Sequence, residues 1–125
     1  MDYKAKALEL FAEAPVCENK PVWERFAEVL ETHQQIRGDL FREEGECCLL
    51  GAMVIAAGKE GDEDIRWQQI PTLLGLSRRT PVAEVAWTEN MDTDIIVYRA
   101  NDADENQLTF PEVLAVIRPK LEGCG

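Results

Sequence analysis

Cys47 and Cys48 stand side by side within the longest apolar segment of the chain, Glu46 to Gly58, where a helix would begin. A thiol at the start of a helix has its thiolate stabilised by the helix dipole and by free backbone N–H groups, the setting of a cysteine nucleophile. Such a nucleophile also needs a base, and His33 is the only histidine. His33 falls on the apolar side of an upstream helical pattern, while Glu46 and its acidic neighbours would raise the Cys48 pKa rather than lower it. The simpler expectation is that Cys47 and Cys48 are small packing residues. With Cys17 and Cys124 the chain has four cysteines, without a C-x-x-C pair or Cys/His zinc spacing. No secretion signal is evident, so free thiols are expected.

The stretch Asp102 to Glu112 resembles a calcium loop, in which oxygens at the first, third and fifth positions and a glutamate at the twelfth surround the ion. Asp102, Asp104 and Asn106 match the first three. Gln107 replaces the glycine of the sharp turn, and Glu112 arrives one residue early. The expectation is therefore a turn followed by a helix cap, with no metal and no cofactor. Gly58-Lys59-Glu60-Gly61 lacks the order of a phosphate loop and sits among acids that would repel phosphate. The carboxylates show no glycosidase spacing, and Trp23, Trp67 and Trp87 read as core or interface residues. No catalytic residue is assigned.

Charge is the most informative bulk property. Twenty-four acids against thirteen bases give a net charge of −11 over 125 residues. Nucleic acid and anionic membranes would repel such a surface, whereas a basic protein face would be attracted. Two regions concentrate the acids. One contains Glu84, Glu89, Asp92, Asp94, Asp102, Asp104 and Glu105, with Arg99 the sole base among them. The other flanks the apolar run: Glu43, Glu44 and Glu46 before it, Glu60, Asp62, Glu63 and Asp64 after it. Between Ile65 and Ala83 there is no acid, and Arg66, Arg78 and Arg79 form a small basic spot.

The elements that must position these residues read as helices. Asp2 can cap a first helix carrying Ala5, Leu8, Phe11 and Ala12. Pro21 opens a second, with Val22, Trp23, Phe26, Val29, Leu30 and His33 on one face, running to about Ile36 with Gly38 as its stop. Cys47–Ala57 is expected as a central helix buried on most sides. Asp64 can cap a short helix that Pro71 makes irregular. Pro81 to Ala100 reads either as a helix begun at Thr80-Pro81 followed by an extended Asp94–Ala100 segment, or as a hairpin around Asn90–Thr93. Thr109-Phe110-Pro111-Glu112 is a capping box for a last helix, which Pro119 should kink or end. The fold expected is mainly α: one domain over 1–125, a compact bundle of about five helices around the buried helix 47–57, with a short β-hairpin within 83–100 as the alternative reading.

Cys48-Leu49-Leu50-Gly51-Ala52 on one helix, then Asn101-Asp102 and Thr109…Glu112-Val113-Leu114 on the last, together resemble a domain family of unknown function from small actinobacterial and phage proteins. The resemblance covers roughly residues 22 to 121. Ala100 stands where that family usually has Trp, and Pro81–Arg99 looks like added sequence. The resemblance implies a small helical domain and a phage or mobile-element origin, with no activity to carry over.

The function expected is non-enzymatic binding of a basic, nucleic-acid-binding host protein by an acidic surface, in the manner of an inhibitor that mimics nucleic acid. The residues assigned to that surface are Glu60, Asp62, Glu63, Asp64, Glu84, Glu89, Asp92, Asp94, Asp102, Asp104 and Glu105. A self-associating structural protein is the alternative, and a Cys48-dependent enzyme the third. The longest apolar run falls short of the roughly 20 residues that cross a bilayer, and the charged, amphipathic start Met1 to Glu13 makes the cytoplasm the expected location.

Overall fold

The computed structural model describes residues 2–82 and 90–124. It is mainly helical. Helix α1 covers Tyr3–Ala12 and α2 Lys20–Thr32; strands β1 (Gln34–Gln35) and β2 (Glu46–Cys47) precede α3 (Leu49–Ala56). A 3-10 helix, Trp67–Leu74, leads to β3 (Arg79–Pro81) and β4 (Asn90–Asp92), then α4 (Thr93–Asp102) and α5 (Phe110–Glu122).

Each helix forms around residues that need burial. Asp2 caps α1 by accepting the Ala5 N–H at 3.0 Å, and α1 buries Ala7 and Phe11. In α2, Trp23, Phe26, Ala27 and Leu30 fall on one helical face and are buried. Phe11 and Phe26 stack at 5.9 Å, with the Trp23 ring edge-on to both. The Trp23 indole N–H donates to the Leu74 carbonyl at 3.1 Å, tying this aromatic cluster to the 3-10 helix. Helix α3 is buried at seven of its eight positions, all but Ile55, and packs against α2, α4 and the 3-10 helix. A Cβ at Gly51 would collide with the Leu40 backbone carbonyl, so only glycine lets the preceding loop lie on α3. One connected set of buried apolar side chains draws on every helix.

Several expectations need correction. Helix α2 ends at Thr32 rather than Ile36, and Gly38 sits in the following loop. His33 takes up extended geometry because Gln34–Gln35 pair in parallel with Glu46–Cys47. Cys47 belongs to that pairing, so α3 starts at Leu49 with Cys48 as its cap. Asp64 does not cap the 3-10 helix: its own N–H donates to Asp62 at 2.9 Å, and Arg66 occupies the cap position. The segment Asp94–Ala100 is helical, not extended; Ile96, Val97, Ala100 and Asn101 are buried along it, a helical spacing. A hairpin is present, but it pairs Arg79–Pro81 with Asn90–Asp92, so Thr80-Pro81 open a strand and not a helix. The rest of the helix expected there, 83–89, lies outside the described residues. Helix α5 continues past Pro119 to Glu122. The thiols are not all free: Cys17 and Cys124 form a disulfide, Cα atoms 5.3 Å apart, while Cys47 and Cys48 stay reduced.

Candidate functional site

Of the residues singled out for chemistry, Cys48 and Asp102 lie together at the start of α3, around the amide of Asn101. Asn101 is fully buried near the end of α4. Its Oδ1 accepts the Leu49 N–H at 3.1 Å and a Gln35 amide N–H at 2.8 Å. Its Nδ2 donates to the Ile36 carbonyl and to Asp102, each at 2.8 Å. Gln35 in turn donates to the Leu108 carbonyl at 2.8 Å and accepts the Phe110 N–H at 3.0 Å. The side chains of Gln35 and Asn101 therefore join β1, α3, α4 and α5. Each satisfies a backbone group that would otherwise be stranded without water.

Cys48 lies beside this junction, its sulfur 3.4 Å from the Gly51 N–H in the cap position of α3. Burial pushes its thiol above the usual range; the Gly51 N–H opposes this, and the charge of Asp102 adds to it. Cys47 is pushed up to about 12, first by burial and then by Cys48 and Glu60. Both sulfurs are protonated at neutral pH. His33 shares a hydrogen bond with the Thr32 hydroxyl at 2.9 Å and contributes to a separate cleft. The described contacts do not join Cys48 and His33 into a nucleophile–base pair.

The calcium-like stretch is occupied by backbone capping. Asp102 accepts the Gly38 N–H at 3.2 Å as well as the Asn101 amide. Asp104 faces Arg37 at 3.5 Å. Glu112 accepts the Thr109 N–H at 3.1 Å and its hydroxyl at 2.9 Å, and pairs with Lys4 at 2.5 Å. Lys4 foremost, then the Thr109 N–H, holds the Glu112 carboxyl below its ordinary pKa. Asn106 takes the left-handed conformation, φ 59°, at the position before the expected glycine. Among the described residues no group of three or more His, Cys, Asp or Glu could hold a metal ion.

The acidic residues assigned to a binding surface are placed unequally. Glu60, Asp62, Glu63 and Asp64 are exposed in the loop after α3, and Asp104 and Glu105 are exposed in the loop before α5. Asp92 is half-buried and pairs with Arg79 at 3.7 Å. Asp102 is half-buried in the Asn101 junction. Asp94 is not a surface residue: it is 4% exposed, held on the inner side of the first turn of α4, and its Oδ1 finds no hydrogen-bond partner among the described residues. Burial, then the neighbouring Asp92 charge, raises its pKa. Glu84 and Glu89 lie outside the described residues.

The fold also creates a site that residue spacing alone did not disclose. Glu43, Glu44 and Glu46, from the loop into β2, and Glu60, beyond α3, line one cleft of about 560 Å³ with Phe41, Ile55, His33 and a single arginine, Arg42. The signal was present in the flanking of a single apolar run by two acidic groups. Their meeting depended on β1–β2 pairing, which carries the 37–45 loop back to α3.

A family model described as a family of unknown function, DUF6197, matches residues 20–119. The chain belongs to that family. The matched segment contains the whole Asn101 junction and the acidic cleft; α1, Cys17 and Cys124 fall outside it. No curated protein and no solved structure matches the chain.

Proposed function

We propose that this DUF6197 member is a non-enzymatic binding module that engages a basic face of another protein through the acidic cleft and the loop Glu60 to Asp64. The observation that carries the reading is the convergence of Glu43, Glu44, Glu46 and Glu60 on one concavity, with Phe41 and Ile55 beside them. Carboxylates around an apolar wall suit the stem and charge of a lysine or arginine. The overall charge of −11 adds long-range attraction to such a partner. In its sharpest form the partner is a nucleic-acid-binding protein, and the module is a phage or mobile-element inhibitor occupying its nucleic-acid groove. Burial of the junction polar groups and raised thiol pKa values favour binding over cysteine chemistry.

The test is affinity capture from host lysate with the intact protein, washed at low and high salt, followed by titration of the captured partner. A stoichiometric nucleic-acid-binding protein lost at high salt is the expected result. Replacing Glu43, Glu44 and Glu60 together by lysine should weaken that complex at least about tenfold, since rim charges act mainly through steering and screening. A complex indifferent to salt and to these changes would place the contact elsewhere.

A further inference from the structure

The four cysteines occupy two different environments. Cys47 and Cys48 are buried in the core, at 0% and 3% exposure. Cys17 is exposed in the turn between α1 and α2, and Cys124 is half-buried in the turn after α5. The bond joining them spans 107 residues of sequence, and both of its ends lie outside the family-matched segment. The seam it crosses is already held by other means. Phe11, Ile117 and Leu121 are buried there by apolar packing, and the Lys120 amino group donates to the Ala12 carbonyl at 2.7 Å. The disulfide is an additional closure over a core with its own cohesion.

Access to the bond is open. A groove of about 350 Å³ lined by Pro15, Cys17, Glu18, Lys120 and Gly123 runs beside it. Thiol–disulfide exchange needs an approach for the attacking thiolate. Cys17, an exposed residue lining that groove, supplies it.

We infer that Cys17–Cys124 is a reducible clasp: a dithiol opens it in the folded protein, loosening α1 and the end of α5 while the core stays assembled. The dithiol's thiolate attacks Cys17, forming a mixed disulfide and expelling Cys124 as a thiolate that takes up a proton. The reductant's second thiol then attacks the mixed disulfide, releasing Cys17 and leaving the reductant as a disulfide. Two electrons and two protons pass from the dithiol to the protein. The clasp does not depend on the acidic surface having a partner.

The experiment uses the full, air-oxidised chain titrated with dithiothreitol in native buffer, with alkylation at each cysteine read by mass spectrometry. Cys17 and Cys124 should become alkylated together after mild reduction, and Cys47 and Cys48 only in denaturant. Helical circular dichroism should persist while Tm falls by about 10 °C. The double variant Cys17→Ser/Cys124→Ser should reproduce the lower Tm and lose all response to the dithiol. Ready alkylation of Cys17 before reduction, a bond that opens only in denaturant, or loss of the fold on reduction would overturn the inference. A double variant as stable as the oxidised protein, or one unable to fold, would do the same.

Discussion

Asn101 makes four side-chain hydrogen bonds, two as acceptor and two as donor, and those to the Leu49 N–H and the Ile36 carbonyl are buried. Asn101→Ala would strand the Leu49 N–H and the Ile36 carbonyl in the interior. Unfolding in urea should show a loss of about 3–5 kcal/mol, the sum of stranded buried groups. Gly51→Ala, which forces the Leu40 carbonyl away from α3, should cost about 1–3 kcal/mol by the same measurement. Asp94 carries the opposite sign. Its folded pKa lies above the unfolded value, so the folded state holds the proton more tightly and stability falls as pH rises from the unfolded towards the folded pKa. Asp94→Asn should therefore raise Tm at neutral pH, and the gain should vanish below the ordinary carboxylate range. A variant less stable than the parent at neutral pH would mean that the ionised carboxylate is compensated. Asn101 and Gly51 were visible in the sequence as motif residues, but their work was not. Three of their partners, Ile36, Leu40 and Leu49, contribute backbone atoms, which carry no mark of residue type.

At the scale of elements, local signals worked where a helix boundary is made by its own residues. Asp2 caps α1, and Thr109 with Glu112 makes the capping box of α5. Thr109→Ala should cost about 1 kcal/mol in thermal or urea unfolding, the usual worth of such a cap. The signals failed where a distant segment decides. The end of α2 is set by strand pairing with Glu46–Cys47, which periodicity along α2 does not contain. Ile95, Val97 and Arg99 alternate like a strand. Helical packing of Ile96, Val97 and Ala100 against α1, α3 and the 3-10 helix outweighs that β preference. The disulfide was illegible for a similar reason. Cys17 and Cys124 are brought together only once α1 and α5 have packed.

For the whole molecule the dominant quantity is charge. A net charge of −11 on a folded chain repels itself, so screening should stabilise the protein even without a partner. Tm should rise as salt increases from low concentration to about 1 M, where the Debye length is near 3 Å. A flat or falling Tm would mean that the six ion pairs found among the described residues, such as Lys4–Glu112 and Arg37–Asp104, matter more than the net repulsion. The acidic composition was plain in the sequence; the cleft that gathers part of it was not, because a loop had to fold back on α3 to form it.

The bonds of Asn101 reach back 66, 52 and 65 residues, to Gln35, Leu49 and Ile36. During synthesis, then, β1 and α3 leave the ribosome long before the side chain that fastens them exists. The nascent chain carries an unfinished interior, including the bare start of its most apolar helix, until α4 has emerged. Asn101 is thus a late-arriving fastener, and the interval before it appears is when this chain's interior lacks those bonds.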